Sequence, residues 1–239
     1  MKLMNSGKWR ITAVVFSLAL FFAACKKDDT PEGRVPAAGF MAFNLATDQD
    51  AVGFSLSGNK LGNTPLGFNN YTGAYLPINI GSREVRTFNF SNDSTLSAVT
   101  GDFKDSMYYS AFLVGTNGNY QNIIVKDELD SLTAGAGTAW VRCINAIRDT
   151  AGAPQLTLAA NGENILNEAF SYTTVSPFKR VPAGTLGVKI SNESTYNTTR
   201  DIALEENKVY TLLLIGAPGE TDTAKTVQVK YVLNGTVTP

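Results

Sequence analysis

Tyr109-Ser110-Ala111-Phe112-Leu113-Val114-Gly115 recurs further along the chain as Tyr210-Thr211-Leu212-Leu213-Leu214-Ile215-Gly216. Other matches keep the same step. Phe54-Ser55-Leu56 aligns with Leu156-Thr157-Leu158, each followed by an Asn-containing turn at Asn59 and Asn161. Phe68 aligns with Phe170, Gly81 with Gly184, and Val85-Arg86 with Val188-Lys189. A steady offset of about 101 to 103 residues identifies two copies of one unit.

Each copy breaks into short apolar or alternating runs bounded by Gly, Asn, Asp and Pro. The first holds runs near 40–45, 52–56, 71–76, 84–90, 107–114 and 120–125; the second near 140–147, 155–159, 173–178, 185–190, 208–215 and 226–233. Runs of this length at regular spacing predict strands of a β-sandwich. Val85, Phe88 and Phe90, and later Leu186, Val188 and Ile190, are expected to face inward, the first trio across a bulge because it breaks alternation. A unit of about 100 residues suits an immunoglobulin-like sandwich. The predicted fold is therefore all-β, with two tandem immunoglobulin-like β-sandwich domains. The boundaries read as 39–132 and 138–239, joined by a Gly-rich linker at 133–137. Hydrophobic residues at 44% and charged residues at 17% support packed cores, and 21 glycines favour turns over long helices.

The N-terminus carries a different signal. Lys2, Lys8 and Arg10 precede an apolar run from Ile11 to Ala24 that ends in Phe22-Ala23-Ala24-Cys25. A run of about 14 residues suits a signal peptide, whereas a spanning helix needs about 20. The tetrapeptide resembles the bacterial lipobox, with Phe22 where Leu is usual. That resemblance implies removal of the signal peptide 1–24 and lipidation at Cys25. The expected thioether-linked diacylglycerol and amide-linked palmitate-type chain would together hold stably in a bilayer. Lys26-Lys27-Asp28-Asp29 is similar to a charged tag that directs lipoproteins of one Gram-negative phylum to the cell surface. Residues 25–38, with Pro31, Gly33 and Pro36, read as the lipidated cysteine and a flexible tether. The expected address is the outer membrane, lipid-anchored and surface-exposed.

The second repeat reads Gly137-Thr138-Ala139-Trp140-Val141-Arg142-Cys143-Ile144-Asn145-Ala146, then Pro154-Gln155-Leu156-Thr157-Leu158, then Val181-Pro182-Ala183-Gly184-Thr185. This resembles the family called domain of unknown function 4397. The first repeat departs from it: Met41-Ala42-Phe43-Asn44 has no arginine, and Ile80-Gly81-Ser82 replaces the Pro-Ala-Gly turn. The resemblance implies a fold and carries no chemistry.

Several functions are disfavoured by composition. The chain has no histidine, which removes the commonest general base and transition-metal ligand, and with them every Ser-His-Asp or Cys-His arrangement. After Cys25 come 17 basic and 21 acidic side chains, a net of about −4 with no basic stripe, so nucleic acid is not an expected partner. Cys143 lies in a strand-like run and reads as a small buried apolar residue, with Arg142 on the opposite face. The acidic groups Asp48/Asp50, Asp102/Asp105, Asp127/Glu128/Asp130 and Glu205/Glu206 are local and read as solvated turn residues. Asp48-Gln49-Asp50 offers only a fragment of a calcium loop. No catalytic residue, metal site or cofactor is expected, and the chain reads as not an enzyme.

Two features point to surface chemistry. Tyr71, Tyr75, Tyr108, Tyr109, Tyr120, Tyr172 and Tyr196 could supply rings for a sugar, or could be core. Asp followed by Ser/Thr and then Ala, Leu, Met or Thr occurs five times, a pattern similar to an O-glycosylation signal of the same phylum. It makes Ser94, Ser106, Ser131, Thr150 and Thr223 candidate acceptors, although Asp-Ser/Thr pairs also simply favour turns. The leading expectation is a lipid-anchored envelope protein presenting its two domains for adhesion or assembly, with the membrane and a surface protein or glycan as partners. A glycan-binding accessory protein of a polysaccharide-uptake system is the alternative, and a hydrolase with a non-local carboxylate pair is the third.

Overall fold

In a computed structural model the described residues are 33–149, 152–192 and 195–238. Residues Pro36–Pro239 form one compact unit. The signal peptide, Cys25 and Thr150 lie outside the described residues.

The first repeat contributes β1 (Ala37–Asn44), β2 (Val52–Leu56), β3 (Asn59–Lys60), β4 (Asn70–Tyr71), β5 (Leu76–Asn79), β6 (Gly81–Asn89), β7 (Thr95–Phe103), β8 (Tyr108–Thr116) and β9 (Asn119–Asp127). A 3-10 turn at Leu129–Ser131 leads into the second repeat. Its strands are β10 (Thr138–Asn145), β11 (Gln155–Ala160), β12 (Glu163–Ala169), β13 (Lys179–Pro182), β14 (Gly184–Asn192), β15 (Tyr196–Leu204), β16 (Lys208–Ile215) and β17 (Gln228–Thr236).

Each repeat is a two-sheet sandwich. In the first, one sheet runs β4-β1-β8-β9 with β5 also on β1, and the other runs β3-β2-β6-β7. The second gives β13-β10-β16-β17 and β12-β11-β14-β15. In both, the first strand lies inside its sheet and pairs parallel with a strand from the far end of the repeat: Gly39 opposite Tyr108 through Asn44 opposite Leu113, and Trp140 opposite Val209 through Asn145 opposite Leu214. The all-β, two-sandwich reading of the sequence is what the chain forms.

Three apolar clusters separate four layers. Phe40, Ala42, Tyr109, Ala111 and Leu113 face one core with Phe54, Val85 and Phe103. Val141, Cys143, Tyr210, Leu212 and Leu214 face the equivalent core with Leu156, Leu186, Val188 and Ile190. The intervening residues of the same strands meet each other: Met41, Phe43, Phe112 and Val114 pack with Ile144, Leu213, Ile215 and Val232. The sheets built on β1/β8 and β10/β16 are thus buried on both faces, which is why their strands read as nearly continuous apolar runs. The outer sheets keep one wet face, and β11, β14 and β15 show the expected alternation of buried and exposed residues.

Small devices repeat with the fold. Tyr109 and Tyr210 each accept a hydrogen bond at the phenol oxygen from a backbone N–H five residues upstream, from Lys104 and Glu205, both at 3.0 Å. This is the corner that immunoglobulin-like sandwiches use to fix a chain reversal. Asn44 and Asn145 are fully buried. Asn44 donates to the Gln49 and Leu66 carbonyls and accepts from Ala46 N–H; Asn145 donates to the Phe170 carbonyl and accepts from Ile147 N–H. The Asn-x-x segment after each first strand is therefore a satisfied internal turn.

One expectation needs correction. The bulge in β6 exists, between Thr87 and Phe88, but it turns Phe88 away from the core. The ring lies over Gly53 on the outer face, where an added Cβ would sit 2.3 Å from it. Phe88 stacks on Phe90 at 6.2 Å, with the Lys60 ammonium over both rings. Of the first trio, only Val85 faces inward. The segment 133–137 is tied to the second repeat: the Thr133 carbonyl accepts from Trp140 Nε1, and Gly135 N–H donates to Asn207.

Candidate functional site

The seam between the repeats holds a polar centre at one end. Arg142 occupies the β10 position that Met41 holds in β1, facing the other repeat. Its guanidinium pairs with Asp127 at the end of β9, donates to Ser110 Oγ at 2.8 Å and to Thr211 Oγ1 at 2.9 Å, and lies 4.6 Å from the Phe178 ring centre. Asp127 also accepts from Ser110 Oγ, at 2.6 Å, and from the Tyr75 hydroxyl. Thr211 donates to Asn234 Oδ1, and Asn234 Nδ2 donates to Tyr75. The ring of bonds closes with every member partnered, as a buried polar network must. Burial and the adjacent Asp127 push the Tyr75 phenol well above its ordinary value, so it stays protonated as a donor. Arg142 and Asp127 are each only 2% exposed. Buried to this degree and fully partnered, the pair ties one repeat to the other.

Asp127 thus corrects the reading of a solvated turn acid. The signal available in the sequence was Arg142, a lone charge inside the apolar run Ala139–Ala146, which demands a buried counter-charge. The other end of the seam carries lighter polar ties: Arg148 donates to the Thr116 carbonyl at 3.1 Å, and Lys225 lies 3.4 Å from Asp50.

The remaining predicted groups are dispersed. Asp48 accepts from Asn117 N–H and from the Tyr120 hydroxyl, both at 2.7 Å. Asp102 pairs with Lys104 on the surface. Among the described residues no group of three or more Asp, Glu, Cys or His gathers as a metal site. Tyr109 and Tyr210 are core, Tyr71 stacks on Phe43 in the seam, and Tyr172 packs there too. Ser94, Ser106, Ser131 and Thr223 are all exposed. Ser106 takes a positive φ of 62°, and Ser131 donates its hydroxyl to the Glu128 carbonyl. Exposure of this kind suits an acceptor for a sugar as well as a plain turn.

Cys143 lies in the second core at 2% exposure, and burial with the nearby Glu168 pushes its thiol from 9.0 up to about 12. The native thiol stays protonated where the unfolded one ionises. The folded state therefore loses stability as pH rises above about 9, at about 1.4 kcal/mol per pH unit for this one group. Urea unfolding at pH 8 and pH 10.5 should show that loss, and Cys143→Ala should reduce its slope. An equal slope in the variant would assign the alkaline loss elsewhere.

Open clefts flank the seam. One, of about 550 Å³, lies beside the polar centre between Tyr75, Tyr108 and the 3-10 turn on one side and the end of β17 on the other. A second, of about 300 Å³, borders Lys126, Ser131, Arg142 and Phe178. A third, also of about 300 Å³, borders Tyr120, Arg148 and Tyr172.

No curated protein matches the chain. Solved structures that match include one described as alpha-glucan binding by a streptococcal virulence factor; it is 11% identical, over 73% of this chain and 91% of that one, with a TM-score of 0.24. The family model described as Domain of unknown function (DUF4397) matches twice, at residues 40–151 and 139–232. The two matches overlap over 139–151 and each begins in the strand that pairs parallel with β8 or β16; the chain belongs to the DUF4397 family as a tandem of its domains.

Proposed function

We propose that this protein is a non-enzymatic, lipid-anchored component of the cell envelope, whose two sandwiches act as one rigid element for adhesion or assembly. The observation that supports this most is the apolar seam of Met41, Phe43 and Phe112 against Ile144, Leu213 and Ile215, closed by a buried ion pair. Two domains joined in this way hold their end loops at fixed separation, which suits a display or scaffold role. A mobile pair would present them at varying angles. The lack of histidine in the sequence and the enclosure of Arg142 and Asp127 support a role without chemistry. The anchor rests on Cys25 and the basic and apolar segments before it, and its place is the outer membrane facing outward.

Membrane fractionation tests the anchor. The native chain should sediment with membranes, and Cys25→Ala should leave it unlipidated and unprocessed at that position. Globomycin should make the precursor accumulate. Processing and fractionation unchanged by both would remove the anchor and the envelope role with it.

A further inference from the structure

The cleft beside the polar centre has a built wall that the rigid-element role does not use. Tyr108 opens β8 on the face that looks toward the second repeat, and it is 37% exposed. Its ring lies down on the sheet because its parallel neighbour is Gly39: a Cβ there would stand 2.6 Å from ring Cδ1. The ring edge is braced by Tyr75, with centroids 4.9 Å apart and planes at 67°. One face of a flat ring is thus held against backbone, and the ring also lines the cleft.

Polar groups surround that ring. Asn234 reaches the cleft from the polar centre, and Thr236 and Thr238 line the opposite wall. Asp130, from the 3-10 turn, is the single charged side chain in the lining. The nearby Lys208 ammonium donates to Thr236 Oγ1 at 3.0 Å, which leaves that hydroxyl proton free to donate onward. No Lys or Arg lines the space, and the Lys208 ammonium is held on the Thr236 hydroxyl, so an anionic ligand would meet the Asp130 carboxylate in the lining and no cation there. A volume of about 550 Å³ falls within the usual ligand range of ~300–1,000 Å³.

We propose that this cleft, between the Tyr108 ring and the end of β17, binds a neutral saccharide. An uncharged sugar offers one apolar C–H face for the ring and a rim of hydroxyls for Asp130, Asn234, Thr236 and Thr238. The immobile ring lowers the ordering cost of binding. Tyr108 and Asp130 touch the sugar, while Gly39 acts as a positioning residue by letting the ring lie flat. The site is independent of anchoring, so its failure and the failure of the envelope assignment are read by different experiments.

The test is titration calorimetry on the full chain in a detergent without a sugar headgroup. The probes are maltohexaose, cellohexaose, mannohexaose and xylohexaose, with hexagalacturonic acid as the charged counterpart. At least one neutral oligomer should bind saturably. Tyr108→Ala should weaken it about tenfold or more, as loss of a central aromatic contact does. Gly39→Ala should also weaken it, while Leu233→Ala, at an exposed position outside the cleft, should not. Melting curves confirm that each variant is folded; Tyr108 is exposed enough that its truncation leaves the core intact. Lack of saturation by every neutral probe, native affinity in Tyr108→Ala, or tighter binding of the galacturonate would each overturn the proposal.

Discussion

Asp127→Ala is expected to lower the unfolding free energy by about 3–5 kcal/mol, among the largest losses any single change in this chain should produce. The carboxylate removes one lone positive charge from a site where Arg142 is only 2% exposed. Without it the guanidinium keeps Ser110 and Thr211, neutral partners that cannot cancel its charge. Arg142→Met should cost a similar amount by leaving Asp127 buried and unpaired. Methionine is the side chain the first repeat already uses at the matching place, Met41, which is 1% exposed. The double variant Arg142→Met/Asp127→Ala should therefore regain much of the loss, because removing a buried pair together leaves no orphaned charge. Urea unfolding of the four proteins as a double-mutant cycle measures this. Losses that simply add in the double variant would mean the two groups do not act as a pair.

Phe112→Ala should cost about 3–5 kcal/mol, the usual range for emptying a buried aromatic site. The ring is fully enclosed, stacks on Phe43 with centroids 4.7 Å apart, and sits 5.8 Å from the Arg142 guanidinium. Its location makes the outcome informative beyond its size. Phe112 belongs to the cluster shared by both repeats rather than to either sandwich's own core. The native protein should melt in one calorimetric transition, and the variant should shift that transition or split it so that one sandwich unfolds first. A native protein already melting in two steps, with Phe112→Ala moving only one, would mean that the seam does not couple the repeats.

The parts of this architecture legible in the sequence are those that water cannot reach. β1, β8, β10 and β16 stand out because both faces are buried and nearly every position is apolar. β7 and β15, at the edges of the outer sheets, do not. Thr95–Phe103 and Tyr196–Leu204 keep one face in solvent and fill it with Thr, Ser, Asn and Asp, which read equally as loop. β12, Glu163–Ala169, is mostly exposed and fails for the same reason. Conversely, the run 71–76 looks like a strand because Tyr71 and Tyr75 are large, yet only Asn70–Tyr71 pair before the chain turns; the tyrosines are needed for the seam and the polar centre. Similarly, 173–178 makes only a bridge from Val175 to Ile144. The turn matched at Asn59 and Asn161 is in fact carried by Ser57-Gly58 and Asn161-Gly162, the residues with positive φ. Pairing of Asp127 with Arg142 was not legible because it depends on how two whole sandwiches dock, which no local pattern encodes.

The parallel registers of β1 with β8 and of β10 with β16 impose an order on assembly. The earliest strand of each repeat gains its parallel neighbour only when nearly the whole repeat has been made, so closure of the central sheet is governed by long-range contacts and is slow. Once the N-terminal sandwich has closed, its greasy outer wall of Met41, Phe43 and Phe112 still waits for the second to arrive. A chain emerging from a ribosome or a translocase is consequently most prone to sticking to its neighbours in that interval, half-built and with one wall bare.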